Sequence, residues 1–219
     1  MIRGVIFDMD GLMTDTERLF MKYWCQVMRE LGYPEHEEIV RHCAGLNYQD
    51  TMKYVYEQLG SEFNYDSILR RASSLSRNHC NRYGVPVKTG LYELLDYLDH
   101  AHISYAVATS AELKDARYKL ESIGVWSRIR CIVTGDMVSR GKPDPELFQI
   151  TCRRLALPPD ECIVLEDSVY GIHAAHLAGC LPVMIPDLQS PDNQTTSILF
   201  SLVESLDQVI LVLENANRA

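Results

Sequence analysis

The stretch Gly4-Val5-Ile6-Phe7-Asp8-Met9-Asp10-Gly11 constrains this chain more than any other. Its β-branched and aromatic residues read as a short strand buried on both faces, which suits the centre of a parallel sheet covered by helices. Asp8 and Asp10 then stand at its carboxyl end. On a continuing strand, residues i and i+2 point to the same side, so the two carboxylates are expected to face each other, and their repulsion calls for a cation. In open α/β sheets ligands bind in the crevice beyond the carboxyl ends of the strands. Gly11 lets the chain turn away sharply. By itself the pair also fits two turn aspartates capping a loop.

Directly after this strand, Thr14-Asp15-Thr16-Glu17 has the spacing of a capping box, which predicts a helix with Thr14 at its N-cap. Leu19, Phe20, Tyr23, Trp24, Val27, Met28 and Leu31 form its apolar face, and Gly32 with Pro34 marks its end. Helices are predicted next over residues 35 to 43, 48 to 59 and 65 to 82. The pattern changes at Gly84-Val85-Pro86-Val87-Lys88-Thr89-Gly90, after which helices alternate with apolar strands. Strands are expected at Ser104 to Ala108, Ile129 to Thr134, Cys162 to Leu165, Pro182 to Ile185 and Leu199 to Val203. The expectation is therefore an α/β fold: a Rossmann-like parallel sheet core flanked by helices, residues 1–14 and 84–219, with an inserted all-helical cap domain, residues 15–83. Pro186 to Thr196, rich in Asp, Pro, Asn, Gln and Thr, reads as the mobile piece of the core.

The 219 residues carry a formal charge of −9 and no dense basic patch, which disfavours a nucleic acid or a membrane surface as partner. Seven cysteines contain no C-x-x-C pair, so neither a disulfide framework nor a structural zinc site is suggested. No basic, apolar leader opens the chain and no membrane-length apolar run follows, so a cytoplasmic protein, a monomer or weak dimer, is expected.

Further chemistry falls at the other strand ends. Thr109-Ser110 closes the second strand ahead of a helix, where a hydroxyl and free amides can hold a phosphate or simply cap the helix. Lys142, between Gly141 and Pro143 after the third strand, is within reach of the same crevice. Glu166-Asp167-Ser168 ends the fourth. Four carboxylates at one edge are badly destabilising without a metal, and an oxygen-only ligand set describes Mg²⁺ rather than zinc.

These four stations together resemble the haloacid dehalogenase superfamily, in its branch of β-phosphoglucomutase-like phosphatases. The resemblance implies that Asp8 is the nucleophile, forming an aspartyl-phosphate, and that Asp10 is the general acid and base. It places Thr109, Ser110 and Lys142 on the phosphate, and Asp8, Asp10, Glu166 and Asp167 around Mg²⁺, with Glu166 adjacent or behind the ligands. Mutases of that branch carry a histidine and an arginine where this chain reads Phe20 and Gly45-Leu46-Asn47-Tyr48. A phosphatase of a small phosphorylated metabolite, a sugar phosphate or nucleoside monophosphate, is thus expected over a phosphomutase or a catalytically silent binding protein. Asn47 and Tyr48, on a cap turn, are candidate substrate contacts, and Arg41, Lys53, Arg70, Arg71 or Arg77 could supply an alternative anion clamp.

Overall fold

The computed structural model describes residues 1–34, 37–46 and 48–218. Six parallel strands, β1 (Gly4–Phe7), β2 (Ser104–Ala108), β3 (Ile132–Val133), β4 (Cys162–Glu166), β5 (Leu181–Met184) and β6 (Ser201–Leu202), form one sheet in the order β3-β2-β1-β4-β5-β6. The order reverses between β1 and β4, which puts the first strand at the switch point where a crevice opens. Alternation along the strands sends Val5 and Phe7 to one face of the sheet and Ile6 to the other, so β1 is buried throughout.

Each face has its own helical layer. Helices α5 (Leu91–His100), α6 (Leu113–Ser122) and α10 (Val209–Arg218) cover the face of Phe7 with Leu94, Leu95, Leu120 and Leu213. Helices α7 (Glu146–Leu155) and α8 (Val169–Leu177) cover the face of Ile6 with Phe148, Cys152, Ala174 and Ala175. The small residues of α8 let it lie close to the sheet.

Four helices leave the sheet between β1 and β2: α1 (Thr16–Glu30), α2 (Glu37–Cys43), α3 (Tyr48–Leu59) and α4 (Tyr65–Tyr83). They pack around their own apolar cluster, centred on Trp24, Met28, Val55, Tyr65 and Ile68. Their two connections run side by side, with Asp15 N–H donating to Pro86 O at 2.9 Å and Lys88 N–H to Met13 O at 3.1 Å. The unit closes onto the carboxyl end of the sheet on both flanks. On one, Gln189 Nε2 donates to Arg41 O at 2.7 Å and Tyr170 pairs with His42 at 2.8 Å. On the other, Arg77 meets Asp115 at 2.7 Å and Tyr118 donates to Asn81 at 2.6 Å.

The expected element order is present, with three corrections. Thr14 is not the cap of α1: Asp15 occupies that position without a side-chain bond, while the Thr14 hydroxyl contacts Thr16 at 3.0 Å and its backbone bridges to Val87. Pairing between the two connections outcompetes the local capping box. The strand expected from Ile129 to Thr134 shrinks to Ile132–Val133, the two residues that pair with Val107 and Ala108 of β2. The stretch Pro186 to Thr196 is pinned, not loose. Asp187 is buried beside Arg18 and Lys88, Gln189 ties the helical unit down, and Asp192 caps α9 (Asn193–Ile198). No helix among the described residues is long and apolar enough to cross a membrane.

Candidate active site

Asp8 follows β1 directly, and its N–H donates to Leu165 O at 3.0 Å, which fixes it beside the end of β4. Its carboxylate receives Lys142 Nζ at 2.5 Å, and Lys142 also pairs with Glu166. The lysine is 1% exposed and the two carboxylates are buried. The loop that delivers Lys142 is held from behind, since Glu146 Oε2 accepts from the N–H groups of Ser139 and Arg140 at 3.1 and 2.9 Å. Arg140 itself faces solvent against Asp144.

Glu166 is fully engaged. Oε1 takes Lys142, and Oε2 accepts from Ser168 N–H at 3.3 Å and Ser168 Oγ at 2.9 Å. Asp167, equally buried, lies within 4.8 Å of Asp8 and Glu166 with one ligand oxygen from each, an arrangement that could hold a metal ion. Gly11 makes room for it. A Cβ at that position, where φ is +85°, would stand 2.1 Å from Asp167 Oδ2. Gly11→Ala is expected to lose about 1–3 kcal/mol from its backbone conformation, plus the collision. Gly32→Ala, at φ +77° with nothing within 4 Å, isolates the backbone part when the two are compared by thermal unfolding.

Asp10 does not face Asp8 along a continuing strand. The strand ends at Phe7, and the chain turns through Gly11, whose N–H donates to Thr14 O at 2.8 Å. The Asp10 carboxylate instead meets Lys119 and the Thr16 hydroxyl. Lys119, on α6, and Glu17, on α1, are the site residues that sequence reasoning missed. The signal for Lys119 was available: Ala116 and Leu120 form the buried stripe of α6, continued by Ile123 at its C-cap, and Lys119 falls among them at helical spacing.

Thr109 is buried after β2, with its Oγ1 accepting from Ala111 N–H at 3.1 Å, which leaves the hydroxyl hydrogen to donate. Ser110 turns its hydroxyl to Gly45 O of the helical unit at 3.3 Å. The helix expected directly behind this pair begins only at Leu113, and its first N–H is already taken by Asp136 at 3.1 Å. Asn47 lies outside the described residues. Tyr48 lines the cavity above Asp10 but donates its hydroxyl to Asp66 at 2.5 Å. Of the five cap cations considered, Arg77 alone lines that cavity among the described residues.

Electrostatics follow from burial. Desolvation pushes the Asp8 carboxyl up to about 8, Lys142 pulling it down and Glu166 adding to the rise. Asp167 is raised well above the ordinary range by burial and by the charges of Asp8 and Glu166. Burial favours the neutral form of Asp10 too, but the Lys119 ammonium and the Thr16 and Thr14 hydroxyls outweigh it and lower its pKa. Burial and the Asp10 charge push Glu17 up to about 7.

These shifts set a stability profile. An unfolded aspartate releases its proton near 3.8, whereas Asp8 holds one to about 8, so that contribution to stability is complete below the lower value and lost through the upper. The metal-free protein is expected to lose roughly 5 °C or more in melting temperature between pH 5 and pH 8.5. A divalent cation bound there would take the place of the proton, so Mg²⁺ is expected to restore progressively more of that loss as pH rises. Thermal scans across this range with and without Mg²⁺ check it.

An α/β sheet with a buried lysine among carboxylates at its switch point, roofed by an inserted helical unit, forms a site able to hold a divalent cation. Residues 5–185 match the model of the haloacid dehalogenase-like hydrolases, so the chain belongs to that family. A phosphorylated carbohydrates phosphatase of Thermotoga maritima is 29% identical over 178 residues, 81% of this chain and 82% of that protein. A Drosophila melanogaster protein named "Probable pseudouridine-5'-phosphatase" is 30% identical over 213 residues, 91% of this chain and 89% of its own length. The crystal structure of CbbY from Rhodobacter sphaeroides in complex with phosphate shares the fold, with a TM-score of 0.78 at 22% identity over 95% of this chain and 96% of that one. The chain is an enzyme of the family, a phosphatase of the haloacid dehalogenase type.

Proposed function

We propose that the protein is a Mg²⁺-dependent phosphomonoester hydrolase that works through an aspartyl-phosphate on Asp8, with a sugar phosphate or nucleoside monophosphate as substrate. The observation that carries this reading is the charge balance of the buried centre. When Asp8, Glu166 and Asp167 are all ionised they carry two negative charges beyond the single ammonium of Lys142, so one divalent cation can replace the protons that burial holds on Asp8 and Asp167. The donor set is oxygen alone, which fits magnesium. Asp8, Asp167 and, as the family resemblance implies, the Asp10 backbone carbonyl would hold it, with Glu166, bonded to Lys142 and Ser168, beside them. Bound there, Mg²⁺ would offset the charge on the nucleophile and the phosphoryl oxygens.

Asp8 attacks phosphorus and takes the phosphoryl group, while Asp10 protonates the departing alcohol. Asp10 then accepts a proton from the water that releases phosphate from Asp8. Lys142 stays against the nucleophile, positioned by Glu166, and with Thr109 meets the phosphoryl oxygens. Residues 15–83 act as a cap that excludes water from the reaction while residues 1–14 and 84–219 hold the catalytic groups. A mutase needs a second cationic clamp in the cap. Arg77, the cap cation in the cavity, is already bound to Asp115 at 2.7 Å, which favours hydrolysis.

The test is phosphate release with Mg²⁺ over a panel of pentose and hexose phosphates and nucleoside monophosphates, pseudouridine 5'-phosphate included. Release from at least one, abolished by chelation, is expected. Folded protein inert toward the whole panel, or rapid conversion of β-glucose 1-phosphate to the 6-phosphate with little release, contradicts the proposal.

A further inference from the structure

Lys119 is a charge that phosphoryl transfer does not require. Its place on α6, between Ala116 and Leu120 on the buried stripe, calls for an apolar side chain, yet a lysine stands there with its side chain 22% exposed. It opens into a cavity of about 350 Å³ between the core and the helical unit, and Asp10, Glu17, Phe20 and Tyr65 share the wall. Glu17 feels the charges of both Asp10 and Lys119.

We propose that Lys119, with Glu17, is the specificity-determining pair for the alcohol part of the substrate, and that it selects a polyhydroxylated, otherwise uncharged alcohol carrying one phosphate. This rests on the hydrolase reading above and deepens it. An ammonium offers three donors and a carboxylate accepts, while each hydroxyl of a sugar ring does both, so neighbouring hydroxyls satisfy the pair together. The charge inventory excludes a second anion. Asp10, Glu17 and Asp115 face Lys119 and Arg77 in the cavity lining, and Arg77 is bound to Asp115, so no cation is in surplus. The volume suits a ring of monosaccharide or nucleoside size, and Phe20 and Tyr65 offer apolar surface for its carbon face. Buried polar groups left unmatched make such a site reject an alcohol that lacks hydroxyls.

The experiment compares kcat/KM for the best hydroxylated phosphate and for phenyl phosphate, in the Mg²⁺-loaded full chain and in its Lys119→Met and Glu17→Gln variants. The parent is expected to prefer the hydroxylated substrate, and each variant to lose at least about tenfold of that preference, chiefly through KM of the hydroxylated compound. A parallel fall for both substrates would show that Lys119 only supports Asp10, and would overturn the proposal. So would a parent that favours phenyl phosphate. A folded parent that hydrolyses neither substrate sinks the hydrolase reading itself, a separate outcome. Glu17→Gln preserves shape, so it carries the comparison should Lys119→Met fail to fold.

Discussion

Asp8→Asn is expected to lower phosphate release by roughly 10⁴-fold or more while leaving the protein at least as stable as the parent. The two effects have separate causes. Activity falls because an amide cannot form the acyl phosphate. Stability holds because burial, together with the charges of Glu166 and Asp10, outweighs the pull of Lys142 and pushes the Asp8 carboxyl up to about 8. The asparagine carbonyl still accepts from Lys142. The variant should also gain less melting temperature from Mg²⁺, having lost one oxygen ligand of charge. Steady-state assays and thermal scans at pH 8 read all three effects.

Lys142→Met is expected to fail in the opposite pattern, losing both activity and stability. The ammonium is the one cation bound to the buried pair Asp8 and Glu166 among the described residues, at 2.5 Å from Asp8. Methionine keeps the length and can lay its sulfur against the Phe148 ring, so the change removes the charge together with its contact with that ring. Removing one partner of a buried ion pair costs about 3–5 kcal/mol, equivalent to roughly 10 °C in a chain of this size. Loss of a charge against the phosphoryl oxygens lowers turnover by about 10²–10³-fold. The loss should be greatest above about pH 8, where Asp8 gives up its proton, and smaller below it, and Mg²⁺ should rescue part of it at the higher pH. A variant as stable as the parent across this range would mean that Lys142 does not neutralise the centre.

The candidate site was legible because its residues stand at strand ends or in the loops beyond them, and buried strands announce themselves by apolar runs. Asp8, Thr109, Lys142 and Glu166-Asp167 could be placed at one sheet edge from the alternation of elements alone. The helical stretch was equally plain, since four helical segments interrupt the rhythm, and α3 begins and ends where the pattern puts it. What escaped depends on contacts between distant elements. Asp10 was assigned to Asp8 by strand geometry, yet the strand ends at Phe7 and Lys119, a partner 109 residues away, captures the carboxylate. Thr14 was read as a local cap, but the partner that decides its place is Val87 on the returning connection. Gln189 and Asp187 sit in a polar stretch that local composition assigns to a mobile loop, and only their long-range bonds to Arg41 and Arg18 reveal an anchor. Local patterns report which face a residue takes; they do not report which charge it finds there.

The central claim is that Asp8 carries the phosphoryl group between substrate and water. Rapid quench of the Mg²⁺-loaded protein with ³²P-labelled substrate, followed by mapping of the label, tests it directly. The account predicts acid-stable, hydroxylamine-labile label on the peptide containing Asp8, appearing before free phosphate and absent from Asp8→Asn. Steady release of phosphate with no label on that peptide, or turnover retained in Asp8→Asn, would contradict it.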